Sequence, residues 1–396
     1  KLDATVAEVH KEFKPNENVL ILYPVKTSAD KLSKMAVAGD GTKYRLNSDE
    51  YDLLHHTDNI ERVTRTEFNL GSRKQIGEYL QKFGWVPTKF TPTGQPMVDE
   101  GTLKKIKDIP QALLIAEYLT LQKRIAQIRS WLKNIDNQDR VHGFVNTNGT
   151  ITGRMTHREP NLAQVPNSNS PYGKECRACW TVPKDYKLVG IDASGLELRM
   201  LAHYMNDKEF TNEILHGDIH SSNQKIAGLE SRGQAKTFIY AFIYGAGDEK
   251  LGTVVKGGRR DGQRLKQRFL DNLPSLRNLK NRVTRAASKG HIKGLDGRKI
   301  YIRSAHSALN ALLQGGGSIV MKEALHLLNG YIIDNNLDAH FVANIHDEWQ
   351  IEVLEKDAKK VGELGVLAIQ NAGLEFEMKC PLDGEYNIGD NWSETH

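Results

Sequence analysis

Cysteine is scarce in this chain: Cys176, Cys179 and Cys380 are the only three in 396 residues. Cys176 and Cys179 make a lone C-x-x-C, and no second pair supplies the remaining ligands of a structural zinc site. His142, His157 and His203 would have to complete it, and their spacing gives no reason to. So few thiols suit a reducing cytosol. Long apolar runs are missing too. None approaches the roughly 20 residues that span a bilayer, so no membrane partner is expected. The chain opens Lys-Leu-Asp-Ala, without an initiator Met or a signal-peptide pattern, and reads as a fragment of something longer. No internal repeat is visible.

Acids are short in one place. The formal net charge is only +5, yet between residues 256 and 303 many Lys and Arg stand beside just Asp261, Asp271 and Asp296. Such a cluster attracts a phosphate backbone. A solvated helix surface accounts for the same run, so the cluster alone identifies no partner. The 39% hydrophobic and 26% charged content fits a soluble globular protein with room for two or three domains.

The order of patterns suggests an α+β chain. Residues 1–13 read as the tail of an amphipathic helix broken by Pro15, and 1–65 as a whole is polar and mixed, with a short strand at 19–24. Helices are expected over 66–83 and 109–135, separated by a Pro- and Gly-rich loop at 87–101. After residue 137 the character changes. Strands are expected at 141–145, 186–191, 299–303, 341–345 and 349–354. Helices are expected at 196–205, 234–244, 265–288 (around Pro274), 308–329 (interrupted at Gly315-Gly316-Gly317) and 356–372. Few, dispersed strands around a helical block predict a small sheet whose chain leaves, builds a helical subdomain and returns.

Three constellations carry chemistry. In Gly190-Ile191-Asp192-Ala193-Ser194-Gly195-Leu196-Glu197-Leu198-Arg199 an apolar strand delivers an Asp just before a helix. That Asp serves either as a cation ligand or as a helix cap. In Ile345-His346-Asp347-Glu348-Trp349 two adjacent carboxylates occupy a tight turn and repel each other unless a cation or donors sit nearby. Asp192 and Asp347 together would suit Mg²⁺, which takes one or two carboxylates plus substrate phosphates. The third is the most specific. Arg232, Lys236, Tyr240 and Tyr244 follow at a spacing of four, so on a helix they form one stripe roughly 18 Å long. Cations suit a triphosphate, and aromatics suit a sugar and a base.

These segments resemble, in order, motifs A, B and C of family A (Pol I-like) DNA polymerases, with wording closest to the replicative polymerases of small podophages. Further segments are similar: Thr152-Gly153-Arg154, Pro160-Asn161-Leu162-x-Gln164-x-Pro166, Gly217-Asp218-Ile219-His220, Gly294-x-x-Gly297-Arg298 and Leu312-Leu313-Gln314. The resemblance covers nearly everything after Phe68. It implies a right-hand polymerase fold: a thumb over 1–135, with its start truncated and a reduced insertion at about 15–65; a palm with a small antiparallel sheet over 136–197 and 325–396; and helical fingers over 198–324. It implies template-directed extension of a DNA primer with dNTPs by two Mg²⁺ ions, in phage-type replication in a bacterial host's cytoplasm.

Residue by residue, the resemblance implies that Asp192, Asp347 and the Ala193 carbonyl hold the metals. Ala193 stands where Pol I itself often has Tyr, and only the backbone is needed there. Glu348 supports the catalytic site. Lys236 is the acid toward pyrophosphate. Arg232, Lys236 and His220 bind the triphosphate, with Tyr240 at the deoxyribose. Glu197 fills the space of a 2′-OH and is placed to help hold Tyr240. Tyr244 stacks at the templating position, and Arg154, Gln164, Arg298, Gln314 and His346 contact DNA. The phage branch recruits a thioredoxin-like processivity factor through a long basic thumb insertion; residues 15–65 hold that place but are shorter and less basic. Nothing before Asp192 resembles a 3′–5′ exonuclease. A single-subunit RNA polymerase shares the palm and the motif B lysine; Glu197 and Tyr240 argue against it. A catalytically inactive DNA-binding protein is a further alternative, and the retention of both Asp192 and Asp347 argues against that.

Overall fold

A computed structural model describes residues 1–13, 16–27 and 31–396. Pro15, the expected helix breaker, lies outside the described residues. The chain divides into two compact units, Lys1–Ala126 and Gln127–His396. No helix among the described residues is long and apolar enough to cross a membrane.

In the first unit, helix α1 (Leu2–Glu12) precedes strands β1 (Asn16–Lys26), β2 (Leu32–Ala38) and β3 (Lys43–Arg45), a short helix α2 (Ser48–Leu54) and strand β4 (Ile60–Thr66). The strands make an antiparallel sheet in the order β3-β2-β1-β4. Its one covered face is small, built on Leu22, Ala36, Ala38, Leu46, Leu54 and Ile60. Val19, Ile21 and Tyr23 on β1 stay exposed. With apolar residues on both faces the period-2 signal is weak, which is why only part of β1 was expected from the sequence. Helices α3 (Arg73–Lys82), α4 (Glu100–Leu103) and α5 (Pro110–Leu132) follow. The helix expected over 66–83 begins only at Arg73. Ser72 caps it, its hydroxyl accepting from the Gln75 amide at 3.3 Å. The preceding segment instead anchors Phe68, which stacks on Phe13 with centroids 4.6 Å apart.

In the second unit, a hairpin of β5 (Phe144–Asn146) and β6 (Thr156–Arg158) and helix α6 (Gly173–Ala178) lead into β7 (Tyr186–Ala193). The chain then leaves the sheet through α7 (Leu196–Met205), α8 (Lys208–His216), α9 (Ile219–Ala227), α10 (Arg232–Ile243), α11 (Asp248–Gly252), α12 (Arg259–Asn272) and α13 (Pro274–Ala287). A hairpin of β8 (His291–Lys293) and β9 (Lys299–Tyr301) and the long α14 (Ala308–Asp334) bring it back to β10 (Ala339–Ile345) and β11 (Glu348–Leu354). Helix α15 (Ala358–Glu375) and β12 (Gly384–Gly389) close the unit. The sheet is antiparallel with order β10-β11-β7-β12. β7 is central, and Leu188, Val189, Gly190 and Ile191 are all buried. That accounts for its unbroken apolar run.

The glycines at 315–317 do not interrupt α14, contrary to the sequence expectation; the helix runs through them. A Cβ on Gly315 would lie 2.7 Å from Ile300, on Gly316 2.8 Å from the Met200 sulfur, and on Gly317 3.0 Å from Leu196. The triplet lets α14 lie close against α7 and β9. Close packing over three residues offsets the roughly 1 kcal/mol of helix propensity each glycine costs.

Candidate active site

β7 ends on Asp192 and Ala193, and the turn between β10 and β11 is His346-Asp347. Their registers bring the two acids to one end of the sheet: Asp192 lies opposite Glu348, and the Ala193 amide donates to the Asp347 carbonyl at 3.1 Å. His346 turns the chain with φ of 63°, a left-handed conformation that His tolerates better than β-branched residues. Asp192 does not cap α7; its N-cap is Gly195, without a side-chain hydrogen bond.

The two aspartates are electrostatically unusual. Burial, then the neighbouring Asp347 and Glu348 carboxylates, raise Asp192 to about 7. Burial and Glu197 raise Asp347 to about 6, against the opposing pull of Arg154. Glu348 behaves oppositely. It is 5% exposed, and its Oε1 accepts from Trp392 Nε1 at 2.5 Å and Gln350 Nε2 at 2.7 Å. His396 Nδ1 lies 3.1 Å from Oε2 and Arg177 Nη1 3.8 Å from Oε1. Burial alone would raise Glu348, but His396, Gln350 and Trp392 outweigh it and hold the group below its ordinary value. Glu348 is thus occupied by its own donors, while neither Asp192 nor Asp347 has an ion-pair partner among the described residues. Nor do those residues hold any group of three His, Cys, Asp or Glu placed to bind a metal. Two acids alone do not suit a cation that wants an all-protein cage. They suit Mg²⁺, whose remaining positions go to water and substrate phosphate.

The stripe on α10 is real. Ser231 and Gln234 form a capping box at its start. Ala235, Phe238, Ile239, Phe242 and Ile243 are buried on the other side, so Arg232, Lys236, Tyr240 and Tyr244 share the remaining face. Arg232 donates to Asp218 Oδ2 at 2.7 Å. Asp218 also caps α9, accepting from the His220 amide at 3.1 Å. The His220 ring is 6.2 Å from the Tyr240 ring. Burial, then the charges of Arg232 and Lys236, lower His220 against the opposing pull of Asp218. Tyr240 and Tyr244 are near-parallel, 6.5 Å between centroids.

Glu197 on α7 links this stripe to the acids. Its Oε1 accepts from the Tyr244 hydroxyl at 2.9 Å and from Arg154 Nη2 at 3.4 Å. The tyrosine that Glu197 holds is therefore Tyr244, not Tyr240 as expected. Arg154 and His346 also line a cleft with Met155, Ser318, Met321, Lys322 and Asn344. Arg298 approaches it: a Cβ on Gly153 would lie 3.7 Å from Arg298 Nη1 and 3.6 Å from the Ser318 hydroxyl. Gln314 sits on α14, one turn before Ser318. Gln164 is exposed on a short turn, where its carbonyl accepts from Gln127 at 2.9 Å, and does not line the cleft. Sequence reasoning missed Arg177, Gln350, Trp392 and His396 around Glu348, and Ser318, Lys322 and Asn344 in the cleft. Only Ser318 and Lys322 left a signal, lying four and eight residues after Gln314.

Comparisons with known proteins identify the family and the fold. The family described as DNA polymerase family A matches residues 46–394. The DNA-directed DNA polymerase of Enterobacteria phage T3 is 41% identical over 376 residues, 84% of this chain and 53% of the relative. That of Escherichia phage T7 is 40% identical, with the same shares covered. The chain spans about half the length of these curated relatives. Among solved structures, the POL domain of Pol1 from M. smegmatis, in complex with DNA primer-template and dNTP, superposes with a TM-score of 0.76 at 23% identity, covering 83% of this chain and 62% of that one. The chain belongs to DNA polymerase family A.

Proposed function

We propose that this chain is the polymerising part of a template-directed DNA polymerase that extends a DNA primer with dNTPs by two-metal-ion nucleotidyl transfer in phage replication, within the host cytoplasm. The observation that carries the reading is the pair Asp192 and Asp347: raised, without ion-pair partners among the described residues, and at adjoining strand ends, with Asp347 within electrostatic reach of Tyr240 and Glu197. Asp192, Asp347 and the Ala193 carbonyl would hold two Mg²⁺ ions, which supply Lewis-acid activation of the primer hydroxyl and charge neutralisation on the pyrophosphate. β7 and β10–β12 belong to the palm, from 136–197 and 325–396, with fingers at 198–324 and thumb at 1–135. The reduced insertion at 15–65, which includes β1–β4 and α2, is where a thioredoxin-like processivity factor would dock. A processivity assay with and without thioredoxin tests that part.

The other residues bind, orient and exclude. Arg232, Lys236 and His220 grip the triphosphate. The Arg232–Asp218 pair is exposed and screened by solvent, which lets the guanidinium turn to phosphate. The primer 3′-hydroxyl gives up its proton to water and its oxygen bonds to the α-phosphorus, the bond to the bridging oxygen breaks, and Lys236 protonates the departing pyrophosphate and is later reprotonated from solvent. Tyr240 lies beside the sugar and Tyr244 at the templating position. Glu197 takes the volume of a 2′-OH. Arg154 and Gln314 donate to minor-groove acceptors that are alike in every correct pair. His346 meets the primer terminus, while Gln164 and Arg298 hold the backbone. Glu348, occupied by its own donors, braces the turn that presents Asp347. Primer extension with Mg²⁺ and either dNTPs or NTPs tests the reading. Extension with dNTPs alone is expected. NTP preference would make the chain an RNA polymerase, and no extension would leave a DNA-binding protein.

A further inference from the structure

Helix α14 carries a second polar row. Asn310, Gln314, Ser318 and Lys322 recur every four residues on a helix whose buried positions are otherwise nearly all apolar. Such a row extends roughly 18 Å and drifts about 40° at each step. The glycines at 315–317 pack against Ile300, Met200 and Leu196. Ser318 and Lys322 line the cleft directly, with Arg154, Asn344 and His346.

Lys322 is the member that does not balance. It is partly buried, and the charge acting on it is Arg298, of the same sign; burial and Arg298 both lower its pKa. Its cationic neighbours are matched. Arg154 meets Glu197 at 3.4 Å and Arg298 meets Asp296 at 2.5 Å. Lys322 has no carboxylate or hydrogen-bond partner among the described residues. A cation drawn partly out of water without a counter-charge is unfavourable. A lysine with no other role would extend to solvent. This one borders a cleft that presents Ser, Asn, His and Arg donors and no acid, beside the residues assigned to the minor groove.

We infer that Lys322 binds a backbone phosphate of the primer–template near the primer terminus and so fixes the register in which Arg154 and Gln314 meet the base edges; this rests on the polymerase reading. Lys322 is a positioning residue and touches no reacting atom. Phosphate contacts position a duplex without reading its sequence. The test measures primer–template affinity by fluorescence anisotropy between about 50 and 200 mM KCl for wild type, Lys322→Ala, Lys322→Gln and Lys322→Arg. Losing one phosphate contact should flatten the slope of log affinity against log salt by about 0.9 in the Ala and Gln variants, with Arg retaining it. A second measurement scans single uncharged methylphosphonates through the last turn of primer and template. Wild type should lose affinity at one of those positions, and Lys322→Ala should be indifferent there. Unchanged slopes in both neutral variants, or no sensitive phosphate in wild type, overturns the inference. If wild type extends primers while the variants bind as it does, only this inference falls. If wild type neither binds nor extends a primer, the polymerase reading falls with it.

Discussion

Asp192 and Asp347 hold protons that the unfolded chain would release, and a sign follows. Both folded-state values, about 7 and about 6, lie above the ordinary 3.8. Between those limits the folded state binds more protons, so their contribution is full below about pH 4 and is lost as pH rises through 6 and then 7. Without divalent metal, the melting temperature should therefore decline across that window. Asp192→Asn, which cannot ionise, should decline less, and Mg²⁺ should restore most of the loss above pH 7. Melts in EDTA and in Mg²⁺ from pH 5 to 8 check this; parallel curves for wild type and variant in EDTA would count against it. Tyr240 supports a second residue-scale expectation. A dideoxynucleotide lacks the 3′-OH that serves as a polar partner in the closed site, and an unsatisfied polar atom costs about 1–3 kcal/mol. The Tyr240 hydroxyl can take its place. Wild type should accept dideoxynucleotides nearly as well as dNTPs, and Tyr240→Phe should discriminate by about 10–100-fold. Chain-termination titrations on one template separate this from mere packing, which predicts equal sensitivity in both.

Elements differ in how much they show before they are folded. The β10–β11 pair was legible because Trp349, Ile351 and Val353 alternate with polar residues, although β11 is buried on both faces; helix α7 was legible because most of it is apolar and buried, and the α10 stripe because four residues fell in register. β2, β3, β4 and β12 were not legible. They are short or half-exposed, and their pairing is fixed by neighbours distant in sequence. The same holds for Arg177, Trp392 and His396, which converge on Glu348 only through the register of β11. Glycine at element scale gives a contrast to test. A Cβ on Gly190, in the middle of β7, would fall 2.4 Å from the Thr395 carbonyl and 2.7 Å from Gln350 Nε2, one of the donors that hold Glu348. Gly190→Ala should cost about 1–3 kcal/mol through overpacking and reduce extension with it. Gly233 on α10 has open space around it, so Gly233→Ala should gain about 0.5–1 kcal/mol. Urea melts of both, with primer extension on each, would refute the packing account if the order were reversed.

At the scale of the whole molecule, the proposed function would divide gripping DNA from joining nucleotides between different parts. On that reading affinity is spread over many cations. In the basic run from 256 to 303, Asp261, Asp271 and Asp296 are each paired with one arginine, Arg264, Arg277 and Arg298, and the other cations share no acid within the run. On the same reading chemistry hangs on Asp192 and Asp347. Asp347→Asn should lower extension far more than tenfold while duplex affinity, measured at fixed salt, changes less than about threefold, because backbone contacts dominate affinity. Extension within about tenfold of wild type, only about 1.4 kcal/mol of barrier, would remove Asp347 from the catalytic pair. The excursion between β7 and β10 also sets a clock. During synthesis, Asp192 emerges from the ribosome on the order of ten seconds before Asp347. Until α7–α14 have folded and returned β10 and β11 to the sheet, Asp192 stands without Asp347 and the proposed reaction centre is incomplete. On that reading nucleotide turnover would arrive only late in synthesis, and its onset would report that β10 and β11 have joined β7.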